Sequence, residues 1–259
     1  MAAKPPGMTV LAVERLQKSF GGVLAVRDIS FDVAGGEMLA LIGPNGAGKT
    51  TCFNMLGGQL RPDAGTVCLA GQPITGLGSR AIWRLGVGRT FQVTATFASM
   101  TVQENVQMAL ISGARGVWHG WGAARFQHTS PARALLDQVG LASQWNRAAS
   151  LLAYGDLKRL ELAIALASGP RLLLMDEPTA GMASAERIAL MALTRRIATE
   201  RRLAVLFTEH DMDVVFAAAD RILVLDRGAL IAEGTGATIR ANPKVREIYL
   251  GTGATSGGH

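Results

Sequence analysis

The sequence predicts an α/β protein with a parallel-sheet core, an N-terminal antiparallel β portion and an inserted α-helical subdomain. Three observations carry that expectation. The apolar run Met38-Leu39-Ala40-Leu41-Ile42 meets the glycine-rich segment Gly43 to Thr50, written GPNGAGKT, which opens into Thr51-Cys52-Phe53-Asn54-Met55-Leu56. Strand, glycine loop and helix in that order are the context in which a G-x-x-x-x-G-K-[ST] match carries meaning. Beyond residue 168, short apolar runs alternate with helical periods, as right-handed βαβ units require. From about 93 to 167 the pattern is helical, and this block separates two α/β portions.

In chain order, residues 1–7 form a Pro/Gly leader. Residues 9–16 and 23–33 alternate or are β-branched, predicting two strands joined at Phe20-Gly21-Gly22. After the loop helix, Arg61-Pro62-Asp63-Ala64-Gly65 is a turn into a strand over 66–70. Residues 71–78 read as loop, 79–85 as a short helix, and Val87-Gly88-Arg89-Thr90-Phe91 as a strand ending at Gln92. Helices are expected over 101–110 and 131–139, separated by a Gly/Trp/Arg-rich stretch. Trp118 and Trp121 there either form an exposed contact or pin a long loop to the body.

A helix over 153–167 sets Leu157, Leu160, Ile164 and Ala167 at helical spacing. Leu172-Leu173-Leu174-Met175 has no polar alternation, which suits a strand buried on both faces of a parallel sheet. A helix over 184–201, a strand over 203–207, a helix over 211–218 and a strand over 221–225 follow. Asp226-Arg227-Gly228 then turns a hairpin into 229–232. The chain reads as one domain over 1–259. Its core comprises about 8–92 and 168–235, its helical subdomain about 93–167, and a C-terminal helix and flexible tail occupy 236–259.

The chemistry begins at GPNGAGKT. Gly43, Gly46 and Gly48 permit torsions closed to other residues, so successive N–H groups can point into one concavity. The helix beginning near Lys49 adds its orphan N–H groups and positive dipole end, favouring a phosphate. Lys49 is expected to reach the β/γ-phosphates of a nucleoside triphosphate, and Thr50 to place its hydroxyl on Mg²⁺. Phe20, in a strand connection just ahead, is either a core aromatic or a platform for a purine base.

Met175-Asp176-Glu177-Pro178 closes the buried strand with two adjacent acids. At the carboxyl edge of a parallel strand, Asp176 can hold Mg²⁺. Glu177, pointing the other way on the strand, can orient or deprotonate an attacking water. Phe207-Thr208-Glu209-His210-Asp211 ends the next strand at the same edge, where His210 can hydrogen-bond the γ-phosphate. Gln92 also ends a strand and can offer its amide oxygen to metal or water.

Composition removes other classes. Hydrophobic residues make up 49% and charged residues 18%, a folded composition. The net charge of +6 raises nucleic acid as a partner, but aromatic residues are only 5% and the basic residues are scattered. No basic stripe interleaved with stacking aromatics is present, so nucleic acid is not expected. A mildly basic chain working at an anionic membrane face fits as well. Cys52 and Cys68 read as small buried hydrophobes in a reducing compartment rather than as a metal or disulfide pair. No signal peptide is visible, and no apolar run is long enough to span a bilayer.

GPNGAGKT, Gln92, Leu152-Ala153-Tyr154-Gly155-Asp156, LLLMDEPT and TEHD stand in the order found in ABC-transporter ATPase subunits, and the resemblance covers nearly the whole chain. It implies a P-loop NTPase, RecA-like core that binds ATP and Mg²⁺ and hydrolyses ATP. Phe20 corresponds to the base-stacking aromatic. Val26, Asn45, Gly46, Ala47, Gly48, Lys49, Thr50 and Thr51 are the expected nucleotide contacts. Thr50, Gln92 and Asp176 fall on the Mg²⁺ positions. Glu177 falls on the catalytic carboxylate, His210 on the switch histidine, and Lys49 and Gln92 join them in catalysis. Ala153, Tyr154, Gly155 and Asp156 form the signature that acts in trans, on the nucleotide of an opposing subunit.

GRTFQ, MTVQENV, the YGD-type signature with KRLELA, the AGM after DEPT and the ending REIYLG resemble one branch most. That branch serves importers of branched-chain amino acids and related amides. The resemblance implies integral membrane permease subunits and a second ATPase subunit as partners, with an extracytoplasmic solute-binding protein engaged indirectly. It also implies a peripheral place on the cytoplasmic face of the inner or plasma membrane. Urea, amide or lipid transport, and a soluble non-transport ATPase, are the competing expectations.

Two positions depart from the family pattern. Ala153 stands where the signature usually has Ser, and Ala183 where Asp or Asn is usual. Asp156 either caps the signature helix or brings negative charge towards a phosphate.

Overall fold

The computed structural model describes residues 8–90, 96–113 and 128–250. The leader, Gln92, Trp118, Trp121 and the tail from 251 lie outside the described residues.

β1 (Thr9–Phe20) and β2 (Val23–Ala34) form an antiparallel hairpin, longer than the alternation alone predicts. Register shifts near Arg15 (φ 47) and Asp28 (φ 52) carry the ladder past its polar middle, the use of a β-bulge. β3 (Met38–Ile42) leads into the glycine loop and α1 (Lys49–Leu56). β4 (Ala64–Leu69), β5 (Gln72–Pro73), α2 (Ser79–Arg84) and β6 (Val87–Thr90) follow. The helical block holds α3 (Val102–Gly113), α4 (Thr129–Gln138) and α5 (Tyr154–Leu166). β7 (Leu172–Asp176), α6 (Ser184–Arg201), β8 (Ala204–Thr208), α7 (Met212–Ala218), β9 (Arg221–Asp226) and β10 (Ala229–Gly234) complete the core. α8 (Gly236–Ala241) and α9 (Pro243–Leu250) close the described chain.

The strands form two sheets, ordered β2-β1-β4-β5 and β10-β9-β3-β8-β7-β6. In the second, β3 runs parallel to β8 and β9, and β7 runs parallel to β8 and β6. β10 alone is antiparallel to its neighbour there. Strand periodicity splits each central strand between two cores. Met38, Ala40 and Ile42 of β3 face a cluster with helices α3 to α7, whereas Leu39 and Leu41 face α1 and the antiparallel sheet. β7 divides in the same way, with Leu173 and Met175 on one side and Leu172 and Leu174 on the other. All five residues of β3, β7 and β8 are buried, which explains their lack of polar alternation. Each larger aliphatic side chain so placed contributes about 1.5–3 kcal/mol.

Arg221 fastens the two sheets. Its guanidinium bonds Glu37 at 2.8 Å and Glu233, and donates to the carbonyl of Asp32. Glu37 in turn accepts the Ala34 N–H at 2.7 Å, so this buried acid is fully engaged. No helix among the described residues is long and apolar enough to cross a membrane.

Candidate active site

The parallel register places the functional segments on one sheet edge. Asp176 is the last residue of β7 and pairs with Thr208, the last of β8. β3 runs parallel to β8, so the glycine loop leaves from the same edge. Gly48 there has φ 102, and any side chain at that position would meet the Ala25 carbonyl oxygen at 2.4 Å. Glycine is therefore required for the loop to turn tightly into α1.

Thr208 organises the acids. Its hydroxyl donates to Asp176 Oδ1 at 2.8 Å and accepts the Glu177 N–H at 3.0 Å. Glu177 lies beyond β7 with φ 50, so a left-handed backbone rather than strand alternation aims its side chain. The expectation that Glu177 points away as a strand residue is corrected accordingly. That torsion costs about 1–2 kcal/mol in an L-residue, offset here by the two hydrogen bonds its N–H makes to Thr208.

Glu177 Oε1 lies 2.7 Å from His210 Nε2. Glu209, beside His210 and buried, holds this arrangement. It accepts the Thr179 N–H at 2.9 Å and the Thr179 hydroxyl at 2.6 Å, tying the two strand-end loops together. Neither Thr208 nor Glu209 is singled out by sequence reasoning. The signal for both is their place in the same two segments, LLLMDEPT and FTEHD.

Lys49 donates to the carbonyls of Gly43 at 2.6 Å and Pro44 at 3.1 Å. Burial pulls its ammonium below the ordinary lysine value, while the charges of Glu177 and Asp176 act to raise it. Asn45, Gly46 and Thr50 are exposed, Gly48 and Thr51 are half-buried, and Ala47 is buried. Val26 is 0% exposed and packs beneath Gly48, so it supports the loop and presents no surface to a ligand. Phe20 is 51% exposed at the hairpin tip, with Lys18 Nζ 5.6 Å from its ring centroid. A core role for Phe20 is thereby excluded.

Asp176 and Thr50 offer hard oxygen donors, and no group of three or more His, Cys, Asp or Glu suited to a metal exists among the described residues. That donor set fits Mg²⁺, which binds through one or two protein oxygens plus phosphate and water. Gln92, the third expected ligand, lies outside the described residues. Cys52 is fully buried, its thiol pushed up to about 12 by that burial, and Cys68 is half-buried; both are free. Neither takes part in the site.

The signature segment opens α5. Ala153 is the N-cap, and no side chain caps this helix. Asp156 is not the cap; it sits in the first turn, where Oδ2 accepts from Gln144 Nε2 at 2.6 Å. Tyr154 donates its hydroxyl to the Ala180 carbonyl at 3.0 Å, and Gly155 packs against the Glu186 carboxylate. Ala183 is the N-cap of α6 and likewise has no side chain to cap with.

A glycine loop, a strand-end acid pair and a paired histidine on one parallel edge form the arrangement of a nucleotide-hydrolysing site. A family model described as ABC transporter matches residues 26–180. This chain belongs to the ABC-transporter ATPase family. A second model, described as branched-chain amino acid ATP-binding cassette transporter, matches residues 229–255.

Among similar proteins is the high-affinity branched-chain amino acid transport ATP-binding protein LivG of Escherichia coli K12. It is 40% identical over 249 residues, covering 93% of this chain and 98% of that protein. The corresponding protein BraF of Pseudomonas aeruginosa is 39% identical over 252 residues, covering 93% and 98%. A solved ATP-binding cassette of an ABC transporter in its ADP conformation superposes with TM-score 0.85 at 30% identity. It covers 94% of this chain and 99% of that one. The P-loop NTPase core and the ATPase activity expected from the sequence stand on these grounds.

Proposed function

We propose that this ABC ATPase powers the import of branched-chain amino acids or related amides from the cytoplasmic face of the inner or plasma membrane. The family match over 229–255 and the LivG and BraF relatives support that substrate class. The 2.7 Å His210–Glu177 contact beside Lys49 carries the hydrolytic reading.

In this reading Phe20 stacks the adenine, and the loop N–H groups with Lys49 hold the phosphates. Thr50, Asp176 and Gln92 would hold Mg²⁺, which would supply charge neutralisation at the phosphates. Glu177 takes a proton from a water whose oxygen attacks the γ-phosphorus in line, while the bond to the bridging oxygen breaks. The products are ADP and phosphate. His210 holds Glu177 in place at 2.7 Å and would hydrogen-bond the γ-phosphate.

A second ATPase subunit faces this one head-to-tail and receives the segment Ala153 to Asp156. Loss of a serine hydroxyl on a charged phosphate removes about 1.5–3 kcal/mol, roughly tenfold or more in affinity. The partner's nucleotide, facing Ala153, therefore turns over more slowly than this chain's own.

The permease subunits dock in a groove of about 600 Å³ between the core and the helical block. Ile82, Trp83, Phe97, Met108 and Ile164 make up much of its apolar lining. Phe97 and Met108 are 53% and 40% exposed, apolar surface available to a partner. The solute-binding protein acts on the far side of the membrane through the permease.

Purification from membranes tests the reading. Two integral subunits and a second ATPase are expected, together with ATP-dependent leucine uptake in reconstituted vesicles. Uptake of urea or a lipid instead, or recovery with ribosomes or DNA, would overturn it.

A further inference from the structure

Arg89 occupies an unusual position between the groove and the acids. It projects from β6 on the same side of the sheet as Asp176, because Arg89 pairs with Leu174 in register and Asp176 lies two residues further along β7. Its Nη2 is 3.5 Å from Asp176 Oδ2 and donates to Asn54 Oδ1 at 3.0 Å. Its Nη1 donates to Gln59 Oε1 at 2.5 Å. The side chain is only 15% exposed.

Arg89, Gly57, Gln59 and Gly88 all line the groove, and a side chain at Gly57 would meet Arg89 Nη1 at 3.1 Å. One planar cation therefore touches both the groove wall and the carboxylate assigned to Mg²⁺. The other oxygen of that carboxylate is held by Thr208.

We infer that Arg89 is a positioning residue that joins occupancy of the groove to the metal-side carboxylate. At 3.5 Å the guanidinium is in loose contact with Asp176, because Asn54 and Gln59 hold the fork towards α1. Pulled towards Asn54 and Gln59, it leaves Asp176 to a divalent ion. Released from them, it closes on Asp176 and competes with that ion. A fork with several donors is needed to serve these partners at once, which a lysine ammonium does less well. The identification of the groove as the permease site rests on the function proposed above; the Arg89–Asp176 link does not.

Two variants move the same quantity in opposite directions. The quantity is the Mg²⁺ concentration at half-maximal binding of a fluorescent ATP analogue to the full chain, with no permease present. Arg89→Gln removes the competing charge and lowers that midpoint by about three- to tenfold, the effect of taking a unit charge from near a divalent ion at a solvated site. Asn54→Ala with Gln59→Ala frees Arg89 to close on Asp176 and raises the midpoint by about threefold, on the same Coulomb argument.

Arg89→Lys retains the charge but is held less well by Asn54 and Gln59, so its midpoint lies above the parent's, on the side of the double variant. Thermal melts identify folded variants, and the double variant decides alone if Arg89→Gln does not fold. Unchanged midpoints, or shifts of the same sign in both variants, would overturn the inference.

In the assembled transporter, docking shifts the parent's midpoint and leaves that of Arg89→Gln in place; equal shifts in both would overturn the link to the groove. Met108→Glu tests the docking reading separately. If the permease still co-purifies, the groove assignment fails while the midpoints of the isolated chain stand.

Discussion

The sheet edge that holds this chain's own nucleotide site and the helix ends assigned to the partner's are built to different standards. On the edge, Thr208 satisfies both Asp176 and the Glu177 N–H, Glu209 bonds Thr179 twice, and His210 meets Glu177. α7, which follows this edge, is capped by Asp211, whose Oδ1 accepts the Asp213 N–H at 3.0 Å and the Val214 N–H at 3.3 Å. α5 and α6 begin at Ala153 and Ala183, with no side-chain cap on either. α6 has compensation from Glu186 accepting the Ala183 N–H at 3.4 Å, and α5 has the acid Asp156 in its first turn. The difference shows where the chain has invested hydrogen bonds. The acids and histidine of its own edge are tied by side-chain hydrogen bonds, whereas α5 and α6, proposed to face another subunit, begin without a side-chain cap, as α1 also does at Gly48.

The largest effect expected is at Glu177. Glu177→Gln keeps the hydrogen bonds of its backbone and loses the proton acceptor, so steady-state ATP hydrolysis falls by about 10²–10⁴-fold. Binding of ATP, read by fluorescence, stays within a few-fold; loss of binding as well would show that Glu177 shapes the loop rather than the reaction.

Thr208→Val comes next. It takes the hydroxyl from Asp176 Oδ1 and leaves the Glu177 N–H only its 3.2 Å bond to the Thr208 carbonyl, at a cost of about 1–3 kcal/mol. Hydrolysis should drop and the melting temperature with it, whereas a melt equal to the parent's would deny Thr208 its organising place.

Asp211→Ala removes a helix cap and the 2.7 Å ion pair to Arg187, a loss of about 1 kcal/mol. Burial pushes the Asp211 carboxyl up, but the Val214 N–H, Arg187 and the Asp213 N–H together hold it below its ordinary value. Its contribution is thus present above the ordinary carboxylate pKa and lost as pH falls through the lowered one. The gap in melting temperature between parent and variant should hold at neutral pH and close in acid. A gap that widens in acid would reverse the sign.

Ala153→Ser sharpens the comparison from the other side, as a gain rather than a loss in the isolated chain. A restored N-cap adds about 0.5–2 kcal/mol of stability, seen as a modest rise in the melt. In the assembled pair, the same change should speed turnover at the partner's site.

Much of this edge was legible in the sequence because its chemistry is local. GPNGAGKT, Asp176-Glu177 and His210 sit in contiguous segments whose strand-end placement follows from buried apolar runs. Less legible was whatever depends on packing between segments. The left-handed turn at Glu177 overrides the strand alternation that would have pointed it elsewhere. Val26 is expected as a nucleotide contact from the family resemblance, yet it is buried under Gly48. Arg89 reaches Asp176 only because β6 and β7 are neighbours, a pairing across more than eighty residues of chain. Strand ends shifted by one or two residues at most other elements, and the longer β1 followed from bulges that alternation does not signal.

The central claim is that this chain's own site carries most of the turnover. ATP hydrolysis by the assembled transporter measures it directly, with Glu177→Gln here compared against the equivalent change in the second ATPase. The account predicts that Glu177→Gln removes most of the activity and that the partner's change leaves most of it. Equal losses would contradict it.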